Sequence, residues 1–142
     1  MASMKAHLTR VGPMKFRAQA EGAPSILLHS PPKGKTKDAP SPVQAVLLAA
    51  MGCTAADIES ILRKEREDVS SIEIEAEAER AEEPPKVFTK IHLHYIVRGK
   101  DVREANVKRA IDLSTETYCT VGTMLRRGGV AWSTSYEIRP PG

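Results

Sequence analysis

Aromatic side chains are scarce in this 142-residue chain, at 4% of the residues, so its core must be built from aliphatic ones. Cysteine is scarcer still, with Cys53 and Cys119 the two present, too few for the disulfide framework of a small secreted domain. No run of lysine and arginine is interleaved with aromatics, and the formal charge is only +3, so a nucleic-acid partner is not expected. No apolar run approaches the roughly 20 residues of a membrane span, and no membrane association is expected either. The opening residues, MASMKAHLTR, hold no hydrophobic signal region, which points to the cytoplasm. There the two cysteines stand as free or redox-active thiols. The length fits one domain, 1–142, with a core of real size.

What is present centres on Ser41 to Glu67, SPVQAVLLAAMGCTAADIESILRKERE. Pro40 and Pro42 bracket Ser41, which suits an N-cap with proline at the first helical position. From Val43 to Ala56 the residues are aliphatic or small on every side, the mark of a buried helix. From Asp57 onward the pattern turns amphipathic: Ile58, Ile61 and Leu62 face inward, and Glu59, Arg63, Lys64, Arg66 and Glu67 face water. Cys53 sits within the buried half. A cysteine there is more often a small apolar filler than a nucleophile, so the residues alone leave its role open.

Elsewhere the two-residue period of strands dominates. Phe16, Ala18 and Ala20 alternate with Arg17, Gln19 and Glu21, a turn follows at Glu21 to Pro24, and Ser25 to His29 is a second strand. A further strand is expected at Lys5 to Arg10. Ser30 to Pro42, rich in proline, lysine and serine, has the composition of a flexible, solvated loop; a flap over the helix is the other reading. Ser70 to Glu83 puts Ile72, Ile74, Ala76 and Ala78 on one face and four glutamates on the other, which are read as solvated. After Pro84-Pro85, Lys86 to Arg98 alternates again, and the short link predicts an antiparallel pair. His92 and His94 share one strand face, but no third ligand stands at a metal-site spacing, and no metal is expected.

Asp101 is positioned to cap a helix from Val102 to about Thr117, with Val107, Ala110, Ile111, Ser114 and Tyr118 inward. Thr120 to Arg127 makes a short helix ending at Gly128-Gly129. Cys119 then stands at a helix N-terminus, where partial positive charge favours a thiolate. Val130 to Ile138 is the last strand. The whole is an α+β domain, with helices packed on antiparallel sheets.

Three segments carry a likeness in order and spacing: SPVQAVLLAAMGCTAADIESIL around Cys53, PKVFTKIHLHYIVRGKD, and AIDLSTETYCTVGTML around Cys119, with a final TSYEI. From about His7 onward the chain resembles the OsmC/Ohr family, the osmotically induced and organic hydroperoxide resistance proteins, and within it the YhfA-like branch. The resemblance implies an OsmC-like fold with a long buried central helix, an intertwined homodimer, and active sites at the subunit interface. It implies a thiol-dependent peroxidase for organic hydroperoxides that needs no cofactor beyond an external dithiol reductant. By the same resemblance Cys53 is the attacking thiolate, oxidised to a sulfenic acid, and Cys119 resolves it to a disulfide.

The family's well-characterised peroxidases activate the thiol with an arginine from the N-terminal strands, held by a glutamate at the start of the central helix. This chain departs from that pattern. Gln44 stands where the branch usually carries glutamate, and His29 where it tends to carry aspartate. Arg10 and Arg17 lie in the region of the family's arginine without a matching context. Gln44, His29 and Arg17 are therefore the candidates for activating the thiol or lining its pocket. Loss of two carboxylates there would favour a thiolate. The same fold also admits a non-catalytic binder of an apolar small molecule, or a thiol redox sensor.

Overall fold

The computed structural model describes residues 3–142. The chain forms two compact units that meet within one helix, the first ending at Leu48 and the second running from Ala49 to Gly142.

The first unit holds a three-stranded antiparallel sheet, β1 (Ala6–Gly12), β2 (Lys15–Ala20) and β3 (Ile26–His29), in the order β1-β2-β3. The expected strands are present and pair as two hairpins: Leu8 lies opposite Ala18 and Phe16 opposite Leu28. Residues 30–41 carry no strand or helix, and hydrogen bonds fasten both ends of the segment. The Ser30 N–H donates to the Met14 carbonyl and the His29 N–H to the Pro40 carbonyl, both at 3.0 Å. Lys15 forms an ion pair with Asp38 inside the segment.

The central helix, α1 (Pro42–Lys64), begins where the sequence places it. Ser41 is its cap: the Gln44 N–H donates to Ser41 Oγ at 3.2 Å, and Gln44 Oε1 accepts from the Ser41 N–H at 2.9 Å. That reciprocal pair is a capping box, which satisfies two otherwise orphaned donors. Burial along α1 is narrower than its composition suggests. Within one chain only Ala50, Thr54, Ile58 and Leu62 are buried, a stripe of one residue per turn, while Val46 and Leu48 are 39% and 51% exposed. At 23 residues, with a window of mean hydropathy 1.6, α1 is also long and apolar enough to cross a membrane by length and composition alone. The expectation of no such run understated it. The stripe nonetheless belongs to the second unit's core, and Glu59, Arg63 and Lys64 are exposed.

The second unit is built on β4 (Asp68–Arg80), β5 (Phe88–Lys100) and β6 (Ala131–Arg139), in the order β4-β5-β6. β4 and β5 pair antiparallel across their length, as the short link requires. β6 departs from the expected all-antiparallel sheet by pairing parallel to β5, with Leu93 opposite Thr134. The cause is the connection: the chain leaves β5 through α2 (Glu104–Leu113), a π-helical turn (Ser114–Tyr118) and α3 (Thr120–Arg127). A helical crossover of that length returns the next strand in the same direction. Ile91, Leu93, Tyr95 and Val97 of β5, with Val107, Ala110 and Ile111 of α2, are buried to within 2%. Each such aliphatic side chain contributes about 1.5–3 kcal/mol on leaving water.

Two local expectations fail for local reasons. Asp101 does not cap α2; it adopts a left-handed conformation (φ 51°), and Arg103 occupies the N-cap. Glu67 serves that end instead, accepting from the Arg103 N–H at 3.3 Å. Tyr118 is 55% exposed rather than inward. The π-helical turn closes with the Cys119 N–H on the Ser114 carbonyl at 2.8 Å. Its extra residue per turn rotates Tyr118 outward and Cys119 inward.

Candidate active site

α1 carries Cys53, Thr54 and Asp57 within a little over one turn. Cys53 and Asp57 are four residues apart and so share a face. Both are half-buried, while Thr54 points into the core at 1% exposure. Cys119 arrives from the other side of the crossover as the N-cap of α3, itself 2% exposed. Cys53 Sγ, a carboxylate oxygen of Asp57 and Cys119 Sγ all lie within 4.8 Å of one another. The two cysteines are unbonded thiols.

Cys119 is held from both sides. Its Sγ accepts from the Gly122 N–H at 3.3 Å, the N-terminal donor of α3 that the sequence led us to expect. Gly122 permits this approach: a Cβ there would stand 3.0 Å from Sγ and 3.4 Å from the Trp132 ring. The expected net effect on the thiol is nevertheless reversed. Burial pushes the Cys119 pKa up to about 11, the Gly122 N–H opposes this, and the neighbouring Cys53 and Asp57 push it further up. Desolvation outweighs the helix end. Cys119 is a thiol, not a thiolate, at neutral pH.

Behind the thiols runs a chain of buried hydroxyls. Ser114 Oγ donates to Asp57 Oδ2 at 2.9 Å, Thr54 Oγ1 is 2.8 Å from Ser114 Oγ, and the Tyr95 hydroxyl is 2.9 Å from Thr54 Oγ1. Ser114 has one hydroxyl proton and gives it to Asp57, so it must accept from Thr54, and Thr54 in turn from Tyr95. The protons therefore run one way, Tyr95 to Thr54 to Ser114 to Asp57. Burial raises the Tyr95 phenol to about 12, so its proton stays in place.

Sequence reasoning named both thiols and missed Asp57. The one available signal was its spacing, one helical turn after Cys53, and the residue was read instead as the start of the wetted half of the helix. The remaining candidates lie in the first unit, where each has structural partners of its own. Gln44 Oε1 is taken up by the helix cap and by Lys37 Nζ at 3.0 Å. His29 is buried, 7% exposed, and its Nδ1 accepts from the Asp38 N–H at 3.0 Å. Arg17 is exposed on β2. A carboxylate, Asp57, stands beside both thiols, and it is among the groups that act on Cys119. Two sulfurs and one carboxylate are one donor short of a closed zinc site. His92 and His94 are bound to Ser133, Ser135 and Glu137.

Comparison with known proteins identifies the family. Residues 34–135 match the family of OsmC-like proteins. The protein YhfA of Escherichia coli K12 is 43% identical over 136 residues, covering 95% of this chain and 98% of its own. A hypothetical protein from Aquifex aeolicus superposes with a TM-score of 0.85 at 27% identity, covering all of both chains. An organic hydroperoxide resistance protein OsmC from Legionella pneumophila superposes at 0.70, with 16% identity and 96% and 98% coverage, a likeness of fold alone. The chain, with its paired thiols on the central helix and the crossover, belongs to the OsmC-like family.

Proposed function

We propose that this protein is a thiol-dependent peroxidase that reduces organic hydroperoxides through a two-cysteine cycle. The observation that carries the reading is the placement of two free thiols within 4.8 Å of each other, one half-buried and one buried. Cys53, the more accessible, attacks the terminal oxygen of the hydroperoxide, leaving a sulfenic acid and an alcohol. Cys119 condenses with that sulfenic acid, releasing water and forming a disulfide, which an external dithiol reduces. The raised pKa of Cys119 supports this order of roles, because a thiol that keeps its proton is the slower first nucleophile.

Family membership and fold neighbours named for organic hydroperoxide resistance support the same reading. The apolar residues α1 leaves uncovered, Val46 and Leu48, support a homodimer. No cofactor enters the cycle, and a cytoplasmic location, where dithiol reductants are held reduced, suits it.

The test is peroxide consumption with a dithiol reductant, on wild type, Cys53→Ser and Cys119→Ser, with cumene hydroperoxide and hydrogen peroxide side by side. Cys53→Ser should abolish turnover. Cys119→Ser should retain the first oxidation and accumulate sulfenic acid. Wild type no faster than a free thiol would remove the enzymatic reading. In that event an apolar ligand retained through purification, or altered partner binding on oxidation, would favour a binder or a sensor.

A further inference from the structure

The peroxidase reading leaves a proton unassigned. Cys53 must lose one to attack, and the departing alkoxide must gain one. Among the groups that act on Cys119 is a carboxylate, Asp57, which lies beside Cys53 as well. A carboxylate is poorly suited to stabilising a thiolate by charge, since like charges repel. It is well suited to exchanging a proton with one.

Resting on that reading, we propose that Asp57 is the acid–base group of the thiol pair, carrying one proton through each half of the cycle. In the first half its carboxylate takes the proton of Cys53, directly or through one water. The thiolate attacks the terminal oxygen of the hydroperoxide, the S–O bond forms, the O–O bond breaks, and the alkoxide takes the proton from Asp57. Thiol plus hydroperoxide has become sulfenic acid plus alcohol, with Asp57 ionised again. In the second half Asp57 takes the proton of Cys119. The Cys119 sulfur attacks the Cys53 sulfur, the S–S bond forms as the S–OH bond breaks, and the departing hydroxide leaves as water with that proton.

Three observations bear on this role independently of one another. The first is position: Asp57 lies within 4.8 Å of both sulfurs, so one group reaches both proton transfers. The second is the hydroxyl chain. Ser114, Thr54 and Tyr95 are at most 1% exposed, and such groups are costly to bury. Their one-way donation ends on Asp57 Oδ2 and holds that carboxylate in place. The third is access. A cleft of about 270 Å³ opens on Asp57, lined also by Lys64, Glu65, Arg109 and Tyr118. Arg109 and Glu65 pair with each other across it. Asp57 thus stands between solvent on one side and the thiols on the other. The groups that titrate around it are Cys53 and Cys119, Lys64, Glu65, Arg109 and Tyr118 at the cleft, and Tyr95 through the hydroxyl chain. Asp57 is the acid–base group; Ser114 is a positioning residue.

The experiment compares wild type, Asp57→Asn and Ser114→Ala with three reagents across pH. Cumene hydroperoxide needs a proton on its leaving alkoxide, peracetic acid releases a carboxylate that needs none, and iodoacetamide reports thiolate alone. Asp57→Asn should lose about 10²-fold with cumene hydroperoxide. In the single-turnover oxidation of Cys53, which Cys119 does not enter, it should stay near wild type with peracetic acid, and it should be alkylated as fast or faster because a negative charge has gone. Ser114→Ala should show the same pattern with a smaller loss. Equal losses with all three reagents would make Asp57 structural and overturn the proposal, as would an unchanged rate with cumene hydroperoxide. A wild type no faster than a free thiol would fell the peroxidase reading, and the proton role with it. A fast wild type matched by Asp57→Asn would fell the proton role alone.

Discussion

Two chains of hydrogen bonds run through the second unit, both touching β5, and they differ in nearly everything but their form. One is buried: Tyr95, Thr54, Ser114, Asp57. The other lies on the polar face, where Ser133 meets His92 at 2.7 Å, His92 meets Ser135 at 2.9 Å, Ser135 meets His94 at 2.7 Å, and His94 meets Glu137 at 2.9 Å. Each ends on a carboxylate. On the polar face the Glu137 carboxylate accepts from His94 Nε2–H, and the serine hydroxyls join the rings, Ser135 between His92 and His94 and Ser133 beyond His92. What differs is the company at the end. Glu137 is met by two nitrogens of Arg139, Nε at 2.8 Å and Nη2 at 2.9 Å, which with His94 hold its carboxyl at about 2. Asp57 is met by two thiols. A carboxylate locked by a guanidinium has no proton to trade, whereas one set against thiols has a source and a destination for one.

The comparison is broken most severely by cutting the buried chain at its middle. Thr54→Val keeps the shape and removes the hydroxyl that joins Tyr95 to Ser114. The Tyr95 hydroxyl, on a side chain 0% exposed, then loses its Thr54 partner. A buried hydroxyl left unpaired costs about 1–3 kcal/mol, so a loss of about 2 kcal/mol is expected in urea unfolding. Tyr95→Phe should cost less, about 1 kcal/mol, because Thr54 keeps Ser114 as a partner. The double variant sharpens the point: with the orphaned phenol gone, Thr54→Val/Tyr95→Phe should be no less stable than Thr54→Val alone. Simple addition of the two losses would mean that the hydroxyls act separately and that no chain exists in the energetic sense.

Sequence alone discloses much of this frame and little of the chain. The start of α1 is legible because Ser41, Pro42 and Gln44 state it locally, and the strands are legible because a period of two needs only a short window. The parallel pairing of β6 is not, since alternation looks the same in either direction. Tyr118 was misplaced because a π-helical turn adds a residue that a 3.6-residue period cannot show. Cys119 was placed correctly at a helix end, yet its net charge preference was reversed, because the helix end is a local feature and burial is not. Thr54 and Ser114 fall at core positions of their helices, but their partnership spans 60 residues of sequence. Asp57 was hidden by its neighbours: it begins the charged half of α1, and only the crossover that delivers Cys119 sets it apart from Glu59.

The smallest expected effect lies on the polar face, and its pH course separates the two carboxylates. Glu137 has its pKa depressed from the ordinary value of 4.5 to about 2 by hydrogen bonds from Arg139 first and His94 second. A group depressed in the folded state adds stability above its ordinary pKa and loses it as the pH falls through the folded value. Wild type should therefore exceed Glu137→Gln by a small, level margin near pH 5. The margin should shrink below about pH 4.5 and close near pH 2, followed by urea midpoints. Exposed ion pairs are screened by solvent and salt, so the margin should also narrow in high salt. Peroxide turnover by Glu137→Gln should match wild type throughout the neutral range. A change in turnover there, or a stability loss as large as that of Thr54→Val, would mean that the polar-face chain reaches the thiols after all and that burial is not what distinguishes the two.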